Sequence, residues 1–160
     1  MSFINSIKSV IRFLFSCFRT EIKVCPSIAT LSPNELLRAR NALITGGTSG
    51  IGFEIARSFI NAGACVLLTG RSQSRVDNAV KMLRKEFNNR ECAFGLVMDI
   101  TDSKNISDKF NEAVLMMTGS IDILVNNAGV NGCSLIEGDE ETFDKVINTN
   151  LKGAFFLSKV

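Results

Sequence analysis

The chain has 160 residues, of which 46% are hydrophobic and 21% charged, and its formal net charge is +2. This length suffices for one compact domain that buries roughly 70% of the surface of the unfolded chain. The sequence contains no His, Tyr or Trp, which excludes acid–base chemistry by an imidazole or a phenol and any metal site built on His ligands. The small net charge and the lack of a basic run interleaved with aromatics exclude nucleic acid as an expected partner. Five scattered cysteines without a C-x-x-C pair predict neither a disulfide framework nor a metal centre.

Residues 1–40 differ in composition from the rest and are predicted to be a leader followed by a linker. The first acidic residue is Glu21, and apolar residues recur before it at helical spacing among serines and basic side chains. An amphipathic, acid-poor N-terminus is typical of a mitochondrial transit peptide, so mitochondrial localisation is the favoured interpretation. The alternatives are a signal anchor, a helix in contact with a membrane surface through residues 1–20, and a disordered leader of a cytoplasmic protein. The only two prolines, Pro26 and Pro33, mark the linker.

From residue 41 onward, apolar runs alternate with helical repeats. Strands are predicted over residues 42–45, 65–69, 93–98 and 121–125, and helices over 51–62, 76–87, 106–117 and from 140 to the end. Asp102 or Ser103 is expected to cap the third helix. This alternation predicts an α/β fold of the doubly wound, Rossmann type, with about four parallel strands and helices on both faces. The fourth helix has no stop signal, which favours an incomplete dinucleotide-binding domain over residues 41–160.

The first strand ends in a glycine-rich turn, T-G-G-T-S-G-I-G, which runs directly into the first helix. Glycines allow a sharp turn and a close approach of the backbone to a ligand, and the first amides of the helix attract an anion. A plain tight connection is the alternative, because the spacing is G-x-x-x-G-x-G and not the Rossmann G-x-G-x-x-G. The turn predicts a pyrophosphate site whose residues are Gly46, Thr48, Ser49, Gly50, Ile51 and Gly52.

At this turn the sequence resembles the short-chain dehydrogenase/reductase family, whose hallmark is T-G-x-x-x-G-I-G. The resemblance continues in the family's order through D-I at 99–100, N-N-A-G at 126–129 and an Asn at 150. It implies a strand order of 3-2-1-4, a contact of the D-I pair with adenine, and a cofactor floor lined by the N-N-A-G motif. The residues that it adds to the cofactor site are Asp99, Ile100, Asn126, Ala128 and Gly129. Asn150 looks like the Asn of the family's catalytic tetrad.

The end of the second strand decides which dinucleotide is expected. Many dinucleotide folds carry a carboxylate there that binds the ribose hydroxyls of NAD, whereas an Arg accommodates the 2′-phosphate of NADP. Here Gly70 takes the place of the carboxylate, and Arg71 follows it. The sequence therefore predicts NADP(H) as the preferred cofactor. If Arg71 is only a solvated loop charge, NAD(H) is the alternative.

The resemblance also implies a reaction, namely hydride transfer between nicotinamide and a small carbonyl or alcohol substrate. In the family a Tyr exchanges the proton, a Lys lowers its pKa, a Ser orients the substrate oxygen and the Asn anchors a water. The sequence has no Tyr and ends ten residues after Asn150, before the segment that carries the family's Ser and Y-x-x-x-K. The chain is therefore expected to be the N-terminal portion of an NADP-dependent oxidoreductase whose full-length parent is active and homo-oligomeric. The alternative is a catalytically inactive module that binds nucleotide or forms a heteromer.

Overall fold

The computed structural model of the chain describes residues 32, 35–88, 91–132 and 138–160. Most of the predicted leader and linker lies outside the described residues. Among the described residues, no helix combines the length and apolar character needed to cross a membrane.

In the described part of the chain, four parallel strands form a sheet in the spatial order β3-β2-β1-β4. Their bounds are Asn41–Ile44 (β1), Cys65–Gly70 (β2), Ala93–Val97 (β3) and Ile123–Val125 (β4). In the register of the central strand, Ile44 is paired with Leu68 of β2 on one side and with Val125 of β4 on the other. The predicted parallel sheet and the strand order implied by the resemblance are both confirmed.

Helices cover both faces of the sheet, as the predicted doubly wound α/β fold requires. They are α1 (Gly50–Asn61), α2 (Gln73–Glu86), α3 (Ile106–Met116), α4 (Glu140–Ile147), a π-helical turn (Asn148–Gly153) and α5 (Ala154–Lys159). Side chains alternate along the strands, so that Ile44 and Leu68 pack under α1 and α2 while Leu43 and Leu67 pack under α3 and α5. The chain thus builds two apolar layers around one buried sheet.

Two local predictions differ from the structure. The cap of α3 is Asn105, and the predictions of Asp102 and Ser103 were wrong because these residues belong to a separate turn. In that turn the Asn105 amide donates to the Asp102 carbonyl oxygen at 3.1 Å, which delays the helix. The predicted fourth helix does run from Glu140 almost to the end, but the π-helical turn interrupts its α-helical hydrogen bonding.

The amino ends of β1 and β4 are joined by a polar cluster around Asp122. Its two carboxylate oxygens accept from the Asn41 amide at 2.8 Å and from the Arg40 guanidinium at 3.2 Å. The hydrogen bond from the Asn41 amide is the main cause that lowers the pKa of the Asp122 carboxyl. Desolvation opposes it, and the hydrogen bond and the charge of Arg40 lower the pKa further. These contacts fix the end of the sheet opposite to the one where the site lies.

Candidate functional site

A cleft of about 690 Å³ opens at the carboxyl edge of the sheet. In an open parallel sheet this is the edge where ligands bind, near the point at which the strand order reverses. Here the reversal lies between β1 and β4, because the chain adds β2 and β3 on one side of β1 and then crosses to place β4 on its other side. Of the residues that the sequence predicts for cofactor binding, ten line this cleft: Gly46, Thr48, Ser49, Gly50, Ile51, Arg71, Asp99, Ile100, Ala128 and Gly129.

The glycine turn presents the start of α1 to the cleft. Gly50 has a φ of +55°, and a Cβ added there would meet nothing within 4 Å, so this position requires glycine for its backbone conformation alone. Ser49 is the N-cap residue, is extended, and makes no side-chain cap hydrogen bond. The first N–H groups of an α-helix have no acceptor within the helix and lie at the positive end of its dipole. The turn can therefore receive an anionic group such as a phosphate.

Gly52 does not line the cleft and instead allows the turn to pack tightly. A Cβ at Gly52 would overlap the Asn127 side-chain amide and would lie 2.6 Å from the carbonyl oxygen of Gly46. The neighbours of Gly52 therefore exclude any side chain at this position, whereas at Gly50 only the backbone conformation requires glycine.

The loop after β4 is bound to the glycine turn through Thr45 and Asn127. The buried Thr45 hydroxyl donates to the Val125 carbonyl at 3.2 Å and accepts from the amides of Asn127 and Ala128, both at 3.0 Å. In return, the Asn127 side-chain amide donates to the carbonyls of Thr45 and Gly46 at 2.9 and 3.2 Å. These bonds fix the shape of the cleft wall between β1 and β4.

The side of the cleft at the end of β2 is basic. Arg71 and Arg75 are exposed and both line the cleft, and neither forms an ion pair with any of the described residues. A Cβ at Gly70 would lie 2.9 Å from Thr48 Cγ2, so the turn leaves little room there for a carboxylate side chain. This region favours a ligand that carries negative charge.

Asp99 and Ile100 follow β3, the strand next to β2, and line the same cleft. Asp99 Oδ1 accepts from the amide and the hydroxyl of Thr101, at 2.9 and 2.8 Å, which closes a local turn and orients the carboxylate. Ile100 is 6% exposed and packs in the core under α3 and α5. The pair thus forms a polar edge above an apolar floor.

Asn126 and Asn150 lie outside the cleft lining. The Asn126 amide donates to Ser158 Oγ at 2.9 Å and so contacts α5. The Asn150 side chain bonds to both backbone groups of Val130: its Oδ1 accepts from the amide at 2.8 Å, and its Nδ2 donates to the carbonyl at 3.0 Å. Asn150 lies in the π-helical turn, a feature frequent at functional sites. In this structure it positions the loop after β4.

Several residues of the site were not named individually from the sequence. Asn127 and Thr45 stand inside the motifs that carry the resemblance, and the N-N-A-G motif as a whole was expected to line the cofactor floor, so their position in those motifs was a usable signal. Thr69 and Thr149 also line the cleft and are buried. Thr69 occurs in an ordinary strand pattern and Thr149 in an ordinary helix pattern, and neither pattern indicates a residue of a binding site. Among the described residues no group of three His, Cys, Asp or Glu side chains is placed to hold a metal ion.

Comparison with known proteins agrees with this geometry. The sequence profile of the family described as short chain dehydrogenase matches residues 40–160. A chlorophyll(ide) b reductase of Oryza sativa subsp. japonica, the chloroplastic protein NOL, is 40% identical over 116 residues, which cover 71% of this chain and 33% of that protein. A 3alpha-hydroxysteroid dehydrogenase of Mediterraneibacter gnavus is 34% identical over 125 residues, which cover 78% of this chain and 49% of that protein.

Solved structures give the same picture. A short chain dehydrogenase/reductase family protein superposes with a TM-score of 0.67 at 34% identity, covering 78% of this chain and 48% of the other. The chain spans between a third and a half of the length of these relatives.

Proposed function

The chain belongs to the short-chain dehydrogenase family, and from that premise we propose that residues 41–160 bind a nicotinamide dinucleotide. The observation that carries the proposal is the cleft in which the glycine turn, the start of α1 and the loops after β2, β3 and β4 meet. The pyrophosphate is held at the start of α1, and the adenosine lies between Arg71 and Asp99. When bound, the cofactor supplies a hydride, which in the whole protein is exchanged with a carbonyl or alcohol carbon of a small molecule.

Residues 1–160 contribute cofactor binding to this activity and not the proton transfer. They contain no Tyr and no His, the side chains that most readily exchange a proton with an alcohol near neutral pH once their pKa values are tuned. This same observation favours a second candidate, a module that binds nucleotide without catalysing a reaction. Turnover of a carbonyl substrate by the purified chain would contradict both assignments of its role.

A substitution at the exposed residue Ser49 tests pyrophosphate binding and is expected to leave the fold intact. Ser49→Asp places a carboxylate at the N-cap of α1, where Asp is a good cap and interacts favourably with the helix dipole. The variant should be at least as stable as wild type, yet its carboxylate repels the pyrophosphate. We expect its affinity for NADPH, measured by calorimetry, to fall about tenfold or more, because a close like-charge pair costs at least about 1.4 kcal/mol.

The matched control is Ser49→Asn, which is similar in shape and capping ability but neutral. Its affinity should stay within a few-fold of wild type. Equal binding by the Asp variant and wild type would contradict the placement of the pyrophosphate.

We further propose that the preferred dinucleotide is NADP(H). The support is the pair of exposed guanidinium groups of Arg71 and Arg75 at the cleft, neither of which is ion-paired with a described residue. The packing of Gly70 against Thr48 also disfavours the carboxylate typical of NAD sites. Arg71→Ala should weaken NADPH binding about 10- to 100-fold, as expected for a charge-assisted hydrogen bond of about 1.5–3 kcal/mol, and leave NADH binding unchanged.

Lys81→Ala is the control for this substitution, since Lys81 is an exposed cation on α2 that does not line the cleft. It should change neither affinity. An unchanged ratio of NADPH to NADH affinity in the Arg71 variant would favour NAD(H) instead.

The whole protein is proposed to be a homo-oligomer. The support is an apolar stripe along α4, the π-helical turn and α5, formed by the exposed side chains of Phe143, Ile147, Leu151 and Phe155. In an antiparallel pairing of two copies, Phe143 of one lies opposite Phe155 of the other, and Asp139 opposite Lys159, so the stripe is self-complementary. Leu151→Lys should shift the chain towards monomer in sedimentation equilibrium, whereas Leu115→Lys on α3, also exposed, should not.

The leader is proposed to direct the protein to the mitochondrion. The support is the acid-poor, amphipathic composition of the first 20 residues. A fusion of residues 1–40 to a fluorescent protein should enter mitochondria, and acidic substitutions at Arg12 and Arg19 should abolish entry. One relative is chloroplastic by name, so import of the fusion into chloroplasts or its retention in the cytoplasm is the contradicting outcome.

A further inference from the structure

Two threonines end the central strands side by side, and only one of them has hydrogen-bond partners. Ile44 of β1 is in register with Leu68 of β2, so Thr45 and Thr69 are neighbours, and strand alternation directs both side chains to the face covered by α3 and α5. They are 0% and 1% exposed. The Thr45 hydroxyl makes three hydrogen bonds, whereas no group among the described residues is bonded to the Thr69 hydroxyl.

The backbone carbonyls of Thr69 and Gly70 are both hydrogen-bonded, in contrast to the Thr69 hydroxyl. The Thr69 carbonyl accepts from the amide of Gly47 at 3.1 Å, and the next carbonyl, that of Gly70, accepts from the Met98 amide at 3.0 Å. These bonds place Thr69 between the glycine turn and the end of β3, where it lines the cleft together with Met98 and Ile100. The two last side chains are apolar and offer the hydroxyl no strong partner.

An unbonded buried hydroxyl is unfavourable, and native proteins rarely retain one without a reason. A group at the floor of a ligand cleft is satisfied when a ligand occupies the cleft. A hydroxyl is well suited to this role beside a nucleoside, since it can donate to a ring nitrogen or accept from an amino group.

We propose that the Thr69 hydroxyl forms a hydrogen bond with the adenosine half of the bound dinucleotide and is a binding residue of this site. This inference rests on the proposed function. The unbonded hydroxyl of Thr69 lowers the stability of the free protein, and ligand binding removes this cost. Deletion of the hydroxyl should therefore weaken ligand binding without lowering the stability of the free protein.

The experiment compares Thr69→Val, which deletes the hydroxyl and keeps the branched shape, with Thr69→Ser, which keeps the hydroxyl. NADPH affinity of the Val variant should fall about 5- to 10-fold, the value of one net hydrogen bond. Its urea midpoint in the absence of ligand should be equal to or above that of wild type. The Ser variant should bind within about twofold of wild type. Thr69→Ala provides a second variant without the hydroxyl if valine disturbs packing.

Whether the Thr69 hydroxyl contacts the adenosine half is tested with a ligand that contains only that half of the cofactor. Adenosine 2′,5′-bisphosphate should lose affinity for the Val variant by the same factor as NADPH does. Wild-type affinity of the Val and Ala variants for both ligands would overturn the inference, and a lowered urea midpoint together with unchanged affinity would identify a buried water as the partner. Failure of the wild-type chain to bind either ligand would instead overturn the proposed function, and this inference with it.

Discussion

Replacement of Thr45 by valine tests whether the cleft wall depends on one buried hydroxyl. The substitution conserves shape but removes the group that accepts from two amides of the loop after β4. The Asn127 amide keeps a second acceptor, the Val125 carbonyl at 3.1 Å, and so loses only part of its bonding. The Ala128 amide has no other acceptor among the described residues and is left unpaired.

The expected loss of stability follows from the unequal effects on the amides of Asn127 and Ala128. The part-buried Ala128 amide left without an acceptor costs about 1–3 kcal/mol and the weakened Asn127 bond about 0.5–1 kcal/mol, so we expect a loss of about 1.5–4 kcal/mol in the free energy of unfolding. For a domain of this size that corresponds to a decrease in Tm of roughly 10 °C. NADPH affinity should fall as well, because the loop that forms one wall of the cleft is no longer fixed to the glycine turn.

The assay is urea unfolding followed by far-UV circular dichroism, because the chain has no Trp or Tyr to report by fluorescence. Thr45→Ser is the matched control: it retains the hydroxyl and should recover most of the stability. Equal urea midpoints for the Val variant and wild type would refute the reasoning, as would a Ser variant as unstable as the Val variant.

Four further substitutions probe the glycine turn, the π-helical turn and the amino ends of β1 and β4. Gly52→Ala should lower the free energy of unfolding by about 1–3 kcal/mol, because the added methyl overlaps the turn. Gly50→Ala should lower it less, by about 1 kcal/mol, because only the left-handed backbone is unfavourable there. The reverse order in urea unfolding would contradict the packing argument. Asn150→Ala should speed hydrogen exchange at the Val130 amide, because it removes the two hydrogen bonds between the Asn150 side chain and the Val130 backbone. Exchange in α1 and α2 should stay the same. Unchanged exchange at Val130 would show that these two bonds do not restrain the loop after β4. The folded-state pKa of Asp122 is lowered, so its contribution to stability is present above the unfolded pKa of about 4 and is lost as pH falls. Asp122→Asn should therefore flatten the acid side of the stability profile, and an identical acid limb would argue against this role.

Sequence reasoning predicted the elements whose pattern is local. Apolar runs such as 65–69 and helical repeats such as the one from Ile51 to Ala62 report burial directly, and the structure confirms both elements within a residue or two. The residue at which a helix starts depends on a closer competition between a cap and a preceding turn. Asp102 and Ser103 are good caps by residue type, but the turn that closes at Asn105 delays the helix, and no propensity distinguishes the two outcomes.

The site was less accessible to sequence reasoning where it depends on contacts between distant segments. Ten predicted cofactor residues lie around one cleft because the motifs follow successive strand ends. The π-helical turn was not foreseen. Its last residue, Gly153, packs on the Ile100 carbonyl, a contact between distant segments in which a Cβ would lie 2.6 Å from that oxygen. The two buried threonines also look alike in sequence. Only the return of the loop after β4 separates Thr45, with three bonds, from Thr69, with none among the described residues.

The bonds between Asn127 and the glycine turn have a consequence for folding. The side-chain amide of Asn127 and the Thr45 carbonyl are 82 residues apart in the chain, so loop closure over that distance must precede the final shape of the turn. The turn and α1 can form early from local interactions, but the wall that faces the ligand is completed only when β4 docks beside β1. During refolding, the ability to bind a dinucleotide should therefore appear after most of the helical signal and report the docking of β4.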